Sequence, residues 1–335
     1  MVTIYDIAKK ANCSAMTVSK VINNTGKISE TTRQRIQQIM NQMNYVPNSN
    51  ARSLVLQQTK LLSLLIADIT NPFYTTLTRG AEDAAKLLGY QLLFSNSDES
   101  IVKEREYIET VLSARVAGVM LAPVGDSSLE HLTLLEQYGI PFVLIDREVP
   151  GVDADIVMGD SKVGASKLTE HLLGLGHRCI AMMNGHLETS TARYRLQGFK
   201  DTLFKNGIQW DEQLNIEMGF NQSDADEHID KLLSLEQPPT AIFAANNLIA
   251  LAAIRSLRRK GYRVPEDMSI VCFDDLEADY VLDPFLTVAS QPAYDFGTIG
   301  MQTLVDRIQG NREQTRHIIL PSELIVRGSS AACSR

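Results

Sequence analysis

The sequence predicts an all-α helix-turn-helix head joined to an α/β body of two doubly wound parallel-sheet lobes. Three short helical patterns fill the first 46 residues, and beyond them short apolar runs alternate with helical patterns. Residues 1–60 hold eight Lys or Arg and two Asp or Glu, a net charge of +6; the whole chain carries −8, so residues 61–335 carry −14. A basic segment on an acidic body indicates that attraction to phosphates is confined to one end of the chain.

Each helical pattern of the head begins with a residue that can cap a helix. Thr3 is followed three residues later by Asp6, a capping-box arrangement, and Ser14 and Ser29 can cap the second and third helices. The apolar positions share the inner helix faces and are Ile7, Ala8, Ala11, Val18, Val21, Ile22, Ile36, Ile39, Met40 and Met43. In a helix-turn-helix the second helix lies in the major groove of DNA. We therefore predict a DNA-binding head, against the alternative of a small helical bundle without that role.

The body has the rhythm of parallel sheets covered on both faces. Its apolar runs are LLSLLIAD, YQLLFSNS, AGVMLAP, PFVLID, ADIVMGD, CIAMMNG, AIFAANN and MSIVCFDD, with helical spacing between them. We predict a DNA-binding domain over residues 1–46, a hinge over 47–59, and an effector-binding and dimerisation domain over 60–335. Its first lobe takes about 60–160 and 291–320, and its second takes about 161–290 and 321–330.

Composition argues against several other classes of protein. No apolar run is long enough to span a membrane, and the first residues do not resemble a signal peptide, so a cytoplasmic protein is expected. The four cysteines are scattered without metal-ligand spacing, so we predict no metal site and no cofactor. The sequence contains no GxGxxG, Walker, HExxH or GxSxG motif, and an enzyme is therefore not predicted.

Polar residues follow several predicted strands, where doubly wound folds bind their ligands. They include Asp68 and Asn71 after the first strand, Asp146 and Arg147 after the fourth, and further residues in the second half of the chain. Each also has a purely structural interpretation. Asp68 and Asn71 could cap the next helix, Arg147 could form a surface ion pair, and Asp274 could be a turn residue.

The segment from Thr3 to Leu54 resembles the LacI/GalR family of bacterial transcription regulators. The matching motifs are TIYDIAKKA, TVSKVIN, NYVPN, which is expected to close the third helix with Pro47-Asn48, and NARSL. The resemblance implies that Ala15, Met16 and Lys20 face base edges and that Leu54 is a minor-groove wedge in a hinge helix. The full DNA-binding set that it implies is Thr3, Ser14, Ala15, Met16, Thr17, Ser19, Lys20, Asn23, Asn48, Arg52 and Leu54.

The body resembles the periplasmic ribose-binding type of sugar receptor, through the motifs NPFY, IDRE, ARYRLQGF, FAANN, CFDD and ASQP. The resemblance implies a sugar-like effector held between the lobes by polar groups and covered by aromatic rings. The implied effector-binding set is Asn71, Phe73, Tyr74, Asp146, Arg147, Arg195, Phe220, Asn246, Asp274 and Gln291. Tyr74 stands where Phe is common in relatives, and its hydroxyl could reach a ligand. Asn247 replaces a usual Asp and is expected to affect the turn rather than ligand contacts.

The resemblance implies a sugar-responsive regulator, by default a repressor. A homodimer is expected, because the tail lacks the leucine heptads of tetrameric relatives. Its two-fold symmetry implies a near-palindromic double-stranded DNA operator. One alternative is a regulator whose co-effector is a phosphorylated carrier protein; the motif QPAYDFG fits that branch, but Gln302 stands where it has Arg. The other is a sugar-binding transport receptor, which the head argues against. The effector, the sense of its action and the operator sequence are left open.

Overall fold

The structure is a computed structural model that describes residues 2–23, 25–45, 59–220, 224–276, 283–311 and 314–334. The chain divides into two units, Met1–Thr59 and Lys60–Arg335. Most of the predicted hinge, including Asn48, Arg52 and Leu54, lies outside the described residues. In the part of the chain that is described, no helix combines the length and the apolar character needed to cross a bilayer.

The head contains three helices around a small apolar core. They are α1 (Ile4–Lys10), α2 (Ala15–Ile22) and α3 (Glu30–Gln42). Thr3 and Asp6 form the expected capping box, with the Thr3 backbone N–H donating to Asp6 Oδ2 at 2.8 Å. The Ser14 hydroxyl accepts from the Thr17 N–H at 3.1 Å and so caps α2. The apolar faces predicted from the sequence meet in this core, in which Ile7, Val18 and Ile36 are fully buried.

The third helix ends earlier than the sequence motif indicates. Its last residue is Gln42, and Asn44 then adopts a left-handed conformation with φ 48°. The Tyr45 N–H donates to the Met40 carbonyl at 2.9 Å, which satisfies a carbonyl left open at the helix end. Asn tolerates this conformation better than most residues. The expectation that Pro47 ends the helix is therefore wrong.

In Lys60–Arg335 the described residues form twelve strands and eight helices. The strands are β1 (Leu61–Ile66), β2 (Gln91–Asn96), β3 (Gly118–Leu121), β4 (Phe142–Ile145), β5 (Asp155–Gly159), β6 (Ile180–Asn184), β7 (Asn215–Glu217), β8 (Ala241–Ala244), β9 (Ser269–Phe273), β10 (Thr287–Ser290), β11 (His317–Leu320) and β12 (Glu323–Ile325). The helices are α4 (Pro72–Leu87), α5 (Ile101–Ala114), α6 (Leu129–Gln137), α7 (Ser161–Gly174), α8 (Ser190–Lys205), α9 (Asp226–Leu233), α10 (Asn247–Arg259) and α11 (Ala293–Ile308).

The strands form two six-stranded sheets, and each sheet is the centre of one lobe. Lobe one has the strand order β2-β1-β3-β4-β5-β11 and is parallel throughout. Lobe two has the order β7-β6-β8-β9-β10-β12, in which only β12 is antiparallel. The predicted fold class, a helix-turn-helix head and two doubly wound lobes, is confirmed. The chain passes between the lobes three times, after β5, after β10 and after β11.

Helix α11 returns to lobe one and packs closely on α4. A Cβ atom on Gly297 would lie 2.0 Å from the Leu77 carbonyl oxygen, and one on Gly80 would lie 2.2 Å from that of Tyr294. Only glycine permits this approach of the two backbones. Strands β2 and β11 lie at the two edges of their sheet and leave apolar side chains exposed, Leu93 and Phe94 on β2 and Ile319 on β11.

Candidate functional site

A narrow cavity of about 20 Å³ lies between the two lobes of the body, at the carboxyl ends of their strands. Its walls come from both lobes and from both halves of the chain. The lining residues are Asp68, Asn71, Phe73, Tyr74, Glu99, Asp146, Arg147, Thr191, Arg195, Phe220, Asn246 and Asp274. Any ligand bound there would therefore contact both lobes at once, and one of monosaccharide size requires the lobes to move apart from this closed arrangement.

Tyr74 and Asp146 are joined on the lobe-one side of the cavity. Asn71 caps α4 by accepting from the Phe73 N–H at 3.0 Å, which fixes where that helix begins beside the cavity. The rings of Phe73 and Tyr74 meet edge to face, 5.2 Å between centroids. The Tyr74 hydroxyl donates to Asp146 Oδ2 at 2.9 Å. Burial, together with the neighbouring carboxylates, raises the pKa of Tyr74 well above its ordinary value, so it remains a donor.

Arg147 is paired with the carboxylate of Glu99, which is not in the predicted effector-binding set. Its Nη2 and Nη1 atoms donate to the two carboxylate oxygens of Glu99 at 2.6 and 2.7 Å. Nη1 also reaches the carbonyl oxygens of Pro123 and Val124 at 3.2 and 3.3 Å. Burial opposes the charge, but Glu99 and the other neighbouring anionic groups outweigh it and raise the pKa of Arg147 above its usual value. The pairing is bidentate, the strongest geometry available to a guanidinium.

Arg195, Asp274 and Gln291 form a second polar group on the lobe-two side. Arg195 Nη1 donates to the Ala245 carbonyl at 2.6 Å, and its Cζ lies 4.1 Å from the centroid of the Phe273 ring. Its Nη2 lies 3.9 Å from Asp274 Oδ2. Gln291 Nε2 donates to Asp274 Oδ1 at 2.7 Å. One of the three chain passages between the lobes begins at this group, because Gln291 lies between β10 and α11.

Burial raises the pKa of Asp274 to about 6, and the charge of Arg195 and the hydrogen bond from Gln291 offset only part of that rise. Asp274 is 5 % exposed. The carboxylate therefore has a destabilised charge that a ligand hydroxyl could stabilise. A strongly shifted pKa in a cleft marks a functional-site candidate.

Asn246 and Phe220 are tied together at the far wall. The Asn246 Nδ2 atom donates to the Phe220 carbonyl at 3.0 Å, and its Oδ1 accepts from the Ile249 N–H at 2.8 Å, which caps α10. The Phe220 ring lies 5.3 Å from Arg147 Cζ and 6.0 Å from Arg195 Cζ. Asn246 thus holds the wall in place and keeps one amide N–H for a ligand.

Nine of the ten residues in the predicted effector set line the cavity. Gln291 lines an adjoining groove and reaches the site through its bond to Asp274. Three lining residues are not in the predicted set: Asp68, Glu99 and Thr191. Glu99 follows β2. The strand-end rule, by which polar residues that follow predicted strands are ligand-binding candidates, would therefore have identified it. Asp68 accepts from Thr70 and does not cap α4, whose N-cap is Asn71, and it also lines the cavity.

Several buried polar atoms at the cleft have no hydrogen-bond partner among the described residues. They are Asp68 Oδ2, Arg147 Nε, Arg195 Nε, Asn247 Oδ1 and Gln291 Oε1. Buried polar groups are nearly always paired in folded proteins, so these atoms are candidates to bind a ligand. They comprise three acceptors and two donors, a mixture that hydroxyl groups match because each can both donate and accept.

Direct contacts also join the lobes around the cavity. Asn247 Nδ2 donates to Asn71 Oδ1 at 3.2 Å and to the Asp275 carbonyl at 3.1 Å. Asn247 therefore has a role in addition to the turn expected for it, because it bridges the cleft. On the other rim, Arg193 Nη1 and Nη2 donate to the Asp126 carboxylate at 2.8 and 3.1 Å.

The head presents the predicted recognition residues on α2. Met16 is 69 % exposed, and Lys20 is also exposed, while Ala15, Thr17, Ser19 and Asn23 are partly buried. Thr3 and Ser14 are exposed and serve as helix caps, so their hydroxyls have partners within the head. Tyr5 on α1 is 73 % exposed and is not in the predicted DNA-binding set.

Metal ligation finds no support in the described ranges, where no group of three or more His, Cys, Asp or Glu side chains is arranged to hold an ion.

Comparison with known proteins places both units in one family. The description "Bacterial regulatory proteins, lacI family" matches residues 3–48, and "Periplasmic binding proteins and sugar binding domain of LacI family" matches residues 59–328. The transcriptional regulator DegA of Bacillus subtilis is 38% identical over 332 residues, 98% of each chain. The ribose operon repressor of Halalkalibacterium halodurans is 36% identical over 334 residues, 98% of this chain and 96% of that protein.

Among solved structures, the Lac repressor dimer bound to operator and the anti-inducer ONPF matches with a TM-score of 0.83 and 27% identity, covering 99% of both chains. The head, the two-lobed body and the sequence matches agree along nearly the whole length. The chain therefore belongs to the LacI family of DNA-binding bacterial regulatory proteins.

Proposed function

We propose that the protein is a transcriptional repressor whose binding to operator DNA is controlled by a small sugar held between the two lobes of its body. The observation that carries the sugar assignment is the ring of buried hydrogen-bonding groups around the cavity, several of which lack partners. A polyol can satisfy donors and acceptors together. The name of the ribose operon repressor supports the same class of effector.

The contacts between the lobes suggest how a ligand would be sensed. Residues of both lobes line the cavity, so a bound sugar favours the closed arrangement by its difference in affinity between closed and open states. Coupling of this kind is typically about 1–3 kcal/mol. Each protomer of the proposed dimer contributes one hinge segment, residues 47–59. In this proposal closure of the lobes alters how the two segments pair, and the paired segments carry Arg52 and Leu54 into the minor groove.

We propose a homodimer that reads a near-palindromic operator with α2 of each protomer. Exposed apolar side chains on neighbouring elements of lobe one support a face for the second copy: Leu87, Leu93, Phe94 and Val102. Exposure of Met16 and Lys20 on α2 supports their contact with base edges.

The first experiment is a thermal-shift screen against monosaccharides, sugar acids, sugar phosphates and nucleobases. A ligand that binds only the folded state raises the melting temperature. The hit is then added to an operator-binding assay with wild type and Arg195→Ala. We expect the variant to bind operator normally and to ignore the sugar. A screen without any hit would overturn the sugar assignment and favour a phosphorylated carrier protein as co-effector.

A second experiment addresses the head and hinge. Leu54→Ala is expected to weaken operator binding and reduce DNA bending while leaving sugar binding intact. Equal bending by wild type and variant would refute the wedge role. Sedimentation of the wild type tests the dimer, and a stable tetramer would contradict it.

A further inference from the structure

An unusual turn after β2 places Glu99 in the wall of the cavity. Asp98 and Glu99 both have left-handed backbones, with φ 50° and 57°, which is costly for residues other than glycine. The turn is fixed by the Glu99 N–H, which donates to the Ala67 carbonyl at 3.0 Å, and by the ion pair of Asp98 with Lys103. Strain of this kind persists only where the surroundings hold it, and it tends to occur at functional sites.

The turn places the Glu99 carboxylate against Arg147. Both terminal nitrogens of Arg147 are directed at Glu99, and only Nε is left without a hydrogen-bond partner. Arg147 is 3 % exposed. A sugar acid or sugar phosphate would normally bind such an arginine through the same two terminal nitrogens. Glu99 already fills that position with a carboxylate of the protein.

The charges around the cavity point in the same direction. Its lining contains four carboxyl groups, Asp68, Glu99, Asp146 and Asp274, against two guanidinium groups, Arg147 and Arg195, so the formal balance is −2. The second guanidinium also faces a carboxylate, since Arg195 Nη2 lies 3.9 Å from Asp274. An anionic ligand would therefore enter a site whose positive groups are already matched.

We infer that Glu99 is a specificity-determining residue, which neutralises Arg147 and makes the cleft select an uncharged polyhydroxyl ligand over a sugar acid or sugar phosphate. The inference rests on the proposed sugar-responsive function and narrows its ligand class. The atoms of the cavity lining that are left for the ligand agree with it: Arg147 Nε and Arg195 Nε can donate to sugar oxygens, and Asp68 Oδ2 can accept from a hydroxyl. An anion could form a bidentate pair with the terminal nitrogens of Arg147 only by displacing Glu99 and opening the strained turn.

The test compares matched triplets of ligands by calorimetry on the full-length protein: D-ribose, D-ribonate and D-ribose 5-phosphate, and the same three forms of arabinose and glucose. Wild type is expected to bind the neutral member of one triplet at least about tenfold more tightly than the two anions. Glu99→Gln keeps the shape and removes the charge, so the affinity for the matching anions should rise by about tenfold. Glu106→Gln is the control, since it removes one exposed charge from the same lobe.

The outcomes separate this inference from the proposed function. Anion affinity that is unchanged in Glu99→Gln, or wild type binding an acid as tightly as its parent sugar, would overturn the inference while sugar control stands. If no sugar or anion binds wild type or variant, the proposed function fails and the inference fails with it. If Glu99→Gln does not fold, the affinities of wild type for the sugar and for its anions still test whether the site selects the neutral ligand.

Discussion

Asp146 and Asp274 occupy equivalent positions in the two lobes and share a left-handed backbone. Each directly follows the fourth strand of its sheet, β4 or β9, and their φ angles are 67° and 64°. Each N–H donates to the neighbouring strand, to Val157 O at 2.8 Å and to Ala289 O at 3.1 Å. The same turn therefore brings one carboxylate into the cleft from each side. Their surroundings differ, because Asp146 receives a bond from Tyr74 and Asp274 receives one from Gln291.

The raised pKa of Asp274 predicts a pH-dependent stability. With a folded-state pKa of about 6 against an ordinary 3.8, the folded protein takes up this proton at higher pH than the unfolded chain. Its contribution to stability therefore falls as pH rises between these values and stays constant above them. A shift of about two units corresponds to about 3 kcal/mol at most. Asp274→Asn removes the buried charge and fits a left-handed backbone.

We expect ligand-free Asp274→Asn to exceed wild type in unfolding free energy by about 1–3 kcal/mol near pH 8, with the difference shrinking towards about pH 4.5. Denaturant titrations across that range measure it. Asp201→Asn is the control, because it removes an equal charge from the surface of lobe two. A pH-independent difference between Asp274→Asn and wild type would contradict the assignment of the raised pKa.

Tyr74→Phe tests the hydroxyl that Tyr74 donates to Asp146. The change leaves a buried carboxylate oxygen without that donor, so the unfolding free energy should fall by about 1–2 kcal/mol. A sugar hydroxyl can take the vacated position, so the rise in melting temperature on adding effector should be larger in the variant than in wild type. Tyr138→Phe, whose side chain is exposed, is the control. An equal or smaller rise would mean that the ligand does not approach Asp146.

The strand-end rule accounts for what the sequence could predict of this site. Asn71, Asp146 and Asp274 lie where parallel strands end, and that position depends on local pattern alone. The partners of those residues depend on how two lobes face each other. Asp126 and Arg193 are 67 positions apart, and Asn71 and Asn247 are 176 apart. No spacing in the sequence encodes these contacts.

The exposed side chains of β2 also could not be predicted from the sequence. The run YQLLFSNS includes the apolar residues Leu92, Leu93 and Phe94, yet its place at the sheet edge leaves Leu93 and Phe94 exposed. Strand order decides this, and order is set by crossover connections rather than by composition. The helical head was more predictable, because its caps and apolar periods act within a few residues.

The ion pair between Asp126 and Arg193 predicts a salt-sensitive contribution to closure of the lobes. Its side chains are 42 % and 34 % exposed, so it contributes only about 0.2–1 kcal/mol. Arg193→Gln should therefore weaken effector binding by about two- to fivefold, and less at high ionic strength, where screening has already weakened the pair. Calorimetry at low and high salt measures this. Arg105→Gln, which breaks a pair within α5, is the control; a loss unaffected by salt would argue against an electrostatic latch.

A substitution at Gly159, which ends β5 and does not line the cavity, is expected to weaken effector binding. A Cβ on Gly159 would lie 1.7 Å from Gln291 Oε1, so Gly159→Ala must displace that side chain and break its bond to Asp274. The end of a glutamine can move, so the protein should fold with a loss of about 1 kcal/mol, while effector affinity falls by about tenfold or more. Gly174→Ala is the control, since nothing lies within 4 Å of the added carbon.

The double variant Gly159→Ala/Gln291→Ala isolates the cause of that loss. Once Gln291 is shortened, the methyl group on Gly159 has no oxygen to displace, so the double variant should bind effector as tightly as Gln291→Ala alone. Residues in contact depart from additivity in this way, whereas independent sites add. Calorimetry on the two single variants and the double variant completes the cycle. Additive losses would show that Gly159→Ala acts by distorting β5, and the positioning of Asp274 by Gln291 would then have to be abandoned as the explanation.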